Sequence, residues 1–296
     1  MSLDIGIIGL PDSGRTTLFN ALTRGEVSTG GGLAAPRIGT AQVPDYRLQG
    51  LADIFQPRKI VPATVTYIDI DASVKDVIEG KGISSQLLHQ ITNLDVLINV
   101  VRAFCDESIP HIEGSLDTDR DITNMNLELT FSDMTLLEKR LSRIETSLKS
   151  AKPAERPGLL REQRLIEKVK ADLERDMPVR DMTLTAEEAK ALSVYQLLSA
   201  KPLLLVVNIG ENQLTQTESL TTELSERYSK AKCQGISVCG ELEMELSELD
   251  DLAAEELRNE YRMSEPGSNR VIKLSYDLLG LISFFTVGSD EVKAWS

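Results

Sequence analysis

The chain has 296 residues, with 32 Lys+Arg against 46 Asp+Glu, a formal net charge of -14, 41% hydrophobic and 4% aromatic residues. That length excludes a small disulfide-stapled scaffold, and the acidity excludes a protein that binds nucleic acid over its whole surface, because phosphate backbones are held by clustered Lys and Arg. No apolar run approaches the roughly 20 residues that span a bilayer, and the opening MSLDIGIIGL lacks the basic stretch of a secretory signal, so a cytoplasmic protein without membrane contact is expected.

In chain order, apolar runs rich in β-branched residues fall at 4–10 (DIGIIGL), 63–70 (ATVTYIDI), 95–104 (DVLINVVRAF), 202–209 (PLLLVVNI) and 235–240 (GISVCG). Near-continuous apolarity over so few residues predicts strands buried on both faces. Helical patterns separate them at 16–24, 84–94, 185–200 and 216–230, and Thr185 with Glu188 forms a capping box at the start of the third. Such alternation predicts an α/β fold, a parallel-type sheet wrapped by helices.

Residues 124–176 interrupt the alternation. Leu127, Met134, Leu141 and Leu148 fall seven apart with Leu137 and Ile144 between them, and Leu159, Ile166 and Leu173 repeat the spacing after a Pro/Gly-containing segment, 152–158. Two antiparallel helices, with coiled-coil spacing, are expected. Between Glu138 and Asp176 there are 11 Lys+Arg and 8 Asp+Glu, making this the one basic district of an acidic chain. A helix at 270–281 and two short strands, 283–287 and 291–295, follow, and they read as the opening of a small C-terminal domain that is incomplete here. The expected division is 1–120 and 180–264 for the nucleotide-type domain, 121–179 for the helical insertion and 265–296 for the incomplete domain.

Cys105, Cys233 and Cys239 follow no metal or redox-pair spacing and read as plain thiols, and His89 and His111 are too few for a histidine metal site. The chemistry-bearing signal is Gly9-Leu10-Pro11-Asp12-Ser13-Gly14-Arg15-Thr16, which follows the first strand and opens the first helix. It matches the phosphate loop G-x-x-x-x-G-K-[ST] with Arg in place of Lys: backbone N–H groups would wrap phosphate oxygens and the Thr16 hydroxyl would ligate Mg2+. Gly9, Pro11, Asp12, Ser13, Gly14, Arg15, Thr16 and Thr17 are therefore candidate nucleotide-binding residues. A guanidinium is broader than an ammonium and differently directed, and Asp12 adds a negative charge that should weaken phosphate binding unless it turns outward or faces the metal.

Asp69, ending the second strand, stands where such proteins orient Mg2+, but the usual D-x-x-G has become D-x-x-A with Ala72. After the fourth strand, Asn208-Ile209-Gly210-Glu211 replaces the N-K-x-D that reads guanine. A glutamate there fits the guanine edge poorly, which favours adenine, so ATP (or GTP) with Mg2+ is the expected ligand, framed at its base by Asn208 and Glu211.

Taken together, IIGLPDSGRTTLFNAL at 7–22, VPDYRL at 43–48, NIGE at 208–211, EPGSNR at 265–270 and VKAW at 292–295 resemble the Obg-like ATPase, or YchF-type, family over nearly the whole chain. The resemblance implies a phosphate-loop G domain with a helical insertion and the start of a ubiquitin-like TGS domain, a preference for ATP, and ribosome association in stress-related control of translation. It also implies that His111, in the loop after VVRAF, replaces the water-positioning glutamine of ordinary GTPases. Where the family carries a switch threonine, residues 30–37 read GGGLAAPR. Loss of the lysine, the D-x-x-G glycine and that threonine predicts a divergent member with weak hydrolysis. The alternative is a nucleotide-sensing or nucleotide-independent interaction protein that retains the fold. The basic hairpin is the expected ribosome contact, and recognition of DNA sequence is not expected.

Overall fold

The structure is a computed structural model that describes residues 3–25, 27–29, 36–70 and 91–295. It divides into two compact units: Met1–Ala72, Leu94–Asp121 and Pro202–Ser296 make the first, and Ser73–Asn93 with Ile122–Lys201 the second.

The first unit is built on strands β1 (Asp4–Gly9), β2 (Val27–Thr29), β3 (Arg37–Gln42), β5 (Thr64–Asp69), β6 (Val96–Arg102), β7 (Leu203–Asn208) and β8 (Cys233–Val238), in the order β2-β3-β5-β1-β6-β7-β8. The five strands from β5 to β8 run parallel, and β1, β6 and β7 are almost wholly buried, as their unbroken apolar runs require. The sheet is mixed rather than purely parallel, because β3 pairs antiparallel with β5 and β2 antiparallel with β3. Sequence reading misses β3 for a physical reason: its buried face carries only Gly39 and Ala41, which leave no apolar signal.

The chain leaves β1 for one side of the sheet and returns to the other side at β6, so β1 lies at the switch point where ligands of open α/β sheets bind. Helix α1 (Arg15–Thr23) buries Leu18, Phe19 and Leu22 in the main core with Ile5, Ile7, Tyr67, Ile98 and Val206. Helices α2 (Tyr46–Phe55), α6 (Thr217–Tyr228), α7 (Gly240–Glu248), α8 (Asp251–Glu260) and α9 (Gly267–Asp277) complete this unit. Glu243 of α7, 2% exposed, accepts N–H groups of Gly267 at 2.7 Å and Ser268 at 2.9 Å and so caps α9 through a tertiary contact, while burial pushes its carboxyl pKa up. The expected C-terminal hairpin is present as β9 (Phe284–Val287) and β10 (Glu291–Trp295). It gains a third strand, β4 (Lys59–Val61), that the sequence did not announce.

In the second unit, α3 (Thr118–Ser150, whose first four residues belong with the first unit) and α4 (Arg156–Leu173) form the expected antiparallel pair. Arg140 meets Glu162 through two hydrogen bonds of 2.6 and 2.9 Å, and Lys170 meets Glu138 at 2.9 Å, a register only antiparallel helices give. Leu137, Ile144, Ile166 and Leu173 of the seven-residue pattern are fully buried between them. The helix expected at 185–200 is shorter, α5 (Ala186–Ser193), with its Thr185–Glu188 capping box in place. The helix expected at 84–94 lies mostly outside the described residues. Among the described residues no helix is long and apolar enough to cross a membrane.

Candidate functional site

The carboxyl ends of the parallel strands gather the candidate residues at one edge of the sheet. Gly9 ends β1 beside Val100 of β6, Asp69 ends β5 beside Ile7, and Asn208 ends β7 between Arg102 and Val238. Between Gly9 and α1 the loop turns on two left-handed residues, Asp12 at φ 58° and Gly14 at φ 83°. Both glycines are sterically required. A Cβ on Gly9 would lie 2.5 Å from the Val100 carbonyl oxygen, and one on Gly14 would lie 2.0 Å from Asn208 Nδ2. Asp12 is exposed, which meets the condition for its charge to be tolerated, and Pro11 and Thr17 are half-buried.

Asn208 ties three segments together. Its Nδ2 donates to the Ser13 carbonyl at 3.0 Å, and its Oδ1 accepts the Gly240 N–H at 2.9 Å, so a single buried amide joins the phosphate loop, the end of β7 and the start of α7. Sequence reading places Asn208 at the base, whereas the structure commits both ends of its amide to bracing the loop. Glu211 is exposed on the turn after Gly210. Its carboxylate pushes the Tyr261 phenol up as the largest influence there, while burial first, with Glu211 contributing, raises the Cys239 thiol. Glu211, Cys239 and Tyr261 thus share one neighbourhood, which sequence reading did not assemble.

Thr16 and Asp69 do converge. Thr16 Oγ1 donates to Asp69 Oδ2 at 2.9 Å, and Asp69 is 4% exposed. A hydroxyl and a carboxylate form a hard oxygen donor set suited to Mg2+. Among the described residues Asp69 Oδ1 accepts no aligned hydrogen bond and meets a cation instead, so this buried oxygen has the chemistry to hold Mg2+. Yet a cation already stands there. Arg15 Nε lies 3.0 Å from Oδ1 as an ion pair. The Ser13 hydroxyl is also buried at the loop without a hydrogen-bond partner among the described residues. No group of three or more His, Cys, Asp or Glu that could hold a metal occurs among the described residues.

His111 is fully engaged by its own surroundings. Its Nδ1 accepts the Glu113 N–H at 3.1 Å, and its Nε2 lies 2.9 Å from Asp121 Oδ2, with the two side chains 6% and 3% exposed. Because Nδ1 accepts, the proton sits on Nε2 and is donated to Asp121. Arg120 closes on the other oxygen of Asp121 at 3.0 Å. In this arrangement neither ring nitrogen is available to a water molecule. The loop itself is held by Arg102, 3% exposed, which donates to the carbonyls of Phe104, Asp106 and Ile109 and lies 4.6 Å from the Phe104 ring centroid. The Phe104 side chain in turn borders Gly14 with its ring and Gly210 with its Cβ. Sequence reading missed both residues; a lone arginine ending an otherwise apolar strand was the available signal for Arg102. Ala72 and residues 30–35 lie outside the described residues.

No protein-family model matches the chain. Against curated proteins it is 35% identical to the ribosome-binding ATPase YchF of Bacillus subtilis, over 100% of this chain and 81% of that protein. It is 33% identical to the ribosome-binding ATPase YchF of Escherichia coli O157:H7, over the same shares. Among solved structures, the Schizosaccharomyces pombe YchF GTPase matches with a TM-score of 0.81 and 27% identity over 99% of this chain and 80% of that one. A GTP-binding protein of Pyrococcus horikoshii, at 16% identity and a TM-score of 0.54, covering 99% of this chain and 85% of that one, shares the fold.

Proposed function

The chain belongs to the YchF family, and on that premise we propose that it binds ATP at residues 9–17, hydrolyses it slowly and acts in association with the ribosome. The observation that carries this reading is the joint placement of Thr16, Asp69 and Asn208 around a loop whose two glycines admit no side chain. The names of the relatives support it, since those of B. subtilis and E. coli are ribosome-binding ATPases.

In this reading the loop N–H groups and the amino end of α1 receive the phosphates, and Gly9, Pro11, Asp12, Ser13 and Gly14 shape the cradle. Thr16 and Asp69 would hold Mg2+, which when bound neutralises charge on the phosphate oxygens. Asn208 keeps the cradle in register with the base side, where Glu211 and the Phe104 ring stand. His111 orients a water only after leaving Asp121, and that required rearrangement makes cleavage slow. In this reading the first unit is the nucleotide domain, with residues 265–296 contributing Val271, Ile272 and Val292 to its core, and the second unit is the insertion, which takes residues 180–201 that the sequence reading assigned to the nucleotide domain. In the insertion Arg143, Lys149, Lys152, Arg156 and Arg164 are exposed on and between α3 and α4, a basic surface for ribosomal phosphates.

Titration with fluorescent ATP and GTP analogues, each competed with unlabelled nucleotide, tests the site. Saturable binding that ATP displaces better than GTP is expected, and no binding of either at millimolar concentration, about -4 kcal/mol or weaker, contradicts it. For the hairpin, K149E, K152E and R156E combined should weaken ribosome co-sedimentation about tenfold or more while leaving nucleotide affinity unchanged.

A further inference from the structure

The contact between Arg15 and Asp69 bears on how the site treats metal. A phosphate loop beside a strand-end carboxylate faces an electrostatic conflict, because the carboxylate repels the phosphates unless a cation separates them. The divalent ion ordinarily does this, while the loop lysine is spent on the phosphates. Here the loop cation meets the carboxylate directly. Arg15 Nε stands 3.0 Å from Asp69 Oδ1, the pair being 12% and 4% exposed, and Thr16 Oγ1 takes the second oxygen at 2.9 Å. Both carboxylate oxygens therefore have a partner drawn from the loop itself, and the buried pair is neutral before any ligand arrives. The other carboxylate of the loop, Asp12, is exposed.

We infer that Arg15 serves as a built-in counter-ion to Asp69, so that this chain captures nucleoside triphosphate with little or no dependence on Mg2+. The inference rests on the ATP-binding reading above and deepens it. Phosphates entering the loop meet backbone N–H groups and a neutral Arg15–Asp69 pair rather than a bare carboxylate. Mg2+ then has to compete with a guanidinium for Asp69, which lowers its contribution to affinity. A lysine at position 15 carries a compact point charge on a flexible stem, free to turn to the phosphates, and would leave Asp69 to the metal.

The test is ATP affinity of the full chain, measured with excess Mg2+ and with excess EDTA, for the unaltered protein, R15K and D69N, each checked for a cooperative thermal melt. The unaltered protein should show a ratio of dissociation constants within about threefold, and R15K one of about tenfold or more. D69N, which keeps an acceptor for Thr16 and removes the negative charge facing Arg15, should bind ATP in EDTA at least as tightly as the unaltered protein. Should R15K fail to fold, D69N decides. A larger ratio for the unaltered protein, an unchanged ratio in R15K, or weakened binding by D69N in EDTA overturns the inference. ATP binding seen only with Mg2+ removes the inference and keeps the ATP-binding reading; absence of binding in both buffers removes both.

Discussion

The phosphate loop and the His111 loop leave adjacent parallel strands, β1 and β6, yet their polar side chains are committed in opposite ways. In the first, Asn208 spends its amide on the backbone of Ser13 and Gly240, so the cradle for phosphates is held in shape. In the second, the residue expected to act on water has spent both ring nitrogens on its own surroundings, Glu113 and Asp121. The contrast separates two demands on a nucleotide-hydrolysing site. Binding needs a preorganised backbone, which a buried amide supplies at once, whereas cleavage needs a group positioned on a water, which here requires breaking a buried hydrogen bond first.

The largest effect that would break this comparison is expected from Asn208→Ala. It leaves the Gly240 N–H and the Ser13 carbonyl unpaired inside the protein and removes the packing over Gly14, at a cost of about 3–5 kcal/mol. Nucleotide affinity should fall by two orders of magnitude or more, read by titration at a temperature where the variant still melts cooperatively. Affinity close to that of the unaltered protein would show that the brace is not what shapes the cradle.

Asp133 provides a control of the same kind in the second unit. Its carboxylate accepts the N–H groups of Leu198 and Ser199, both at 2.8 Å, and burial raises its pKa to about 6 from 3.8. A carboxyl pKa raised by folding contributes stability that is complete below about pH 4 and is lost as pH rises through 6, amounting to about 3 kcal/mol at most. Asp133→Asn can accept one N–H but not both, so it should destabilise by about 1–3 kcal/mol near pH 4. It should also lessen the fall in stability between pH 4 and 6, seen by denaturant unfolding across that range. Nucleotide affinity should not change, which separates this clamp from the one made by Asn208.

The smallest effect is expected at the His111 loop. Asp121→Asn keeps an acceptor at Oδ1 but removes the charge that holds the imidazole and Arg120, which is worth about 1 kcal/mol. Turnover of bound ATP should rise a fewfold with affinity unchanged. A fall in turnover would place Asp121 as a support for catalysis rather than a latch against it.

What the sequence revealed follows from where its information lies. Strands β1, β6, β7 and β8 were legible because burial on both faces leaves an unbroken apolar run, and the hairpin because Leu and Ile recur every seven residues. Strand β3 was not, since its buried face is Gly39 and Ala41, nor was β4, three residues whose identity as a strand depends on β10, far along the chain. The loop, Asp69 and Thr16 were legible from spacing. The directions of Arg15, Asn208 and His111 were not, because each is fixed by a partner distant in sequence: Asp69, Gly240 and Asp121.

The central claim, a site ready to capture nucleotide but held back from cleaving it, is tested most directly by single-turnover hydrolysis of a preformed ATP complex. Saturable binding below millimolar ATP followed by cleavage slower than about 1 per second, at or below the low end of enzymatic rates, is the predicted result. Cleavage at tens per second, or no saturable binding, would contradict it.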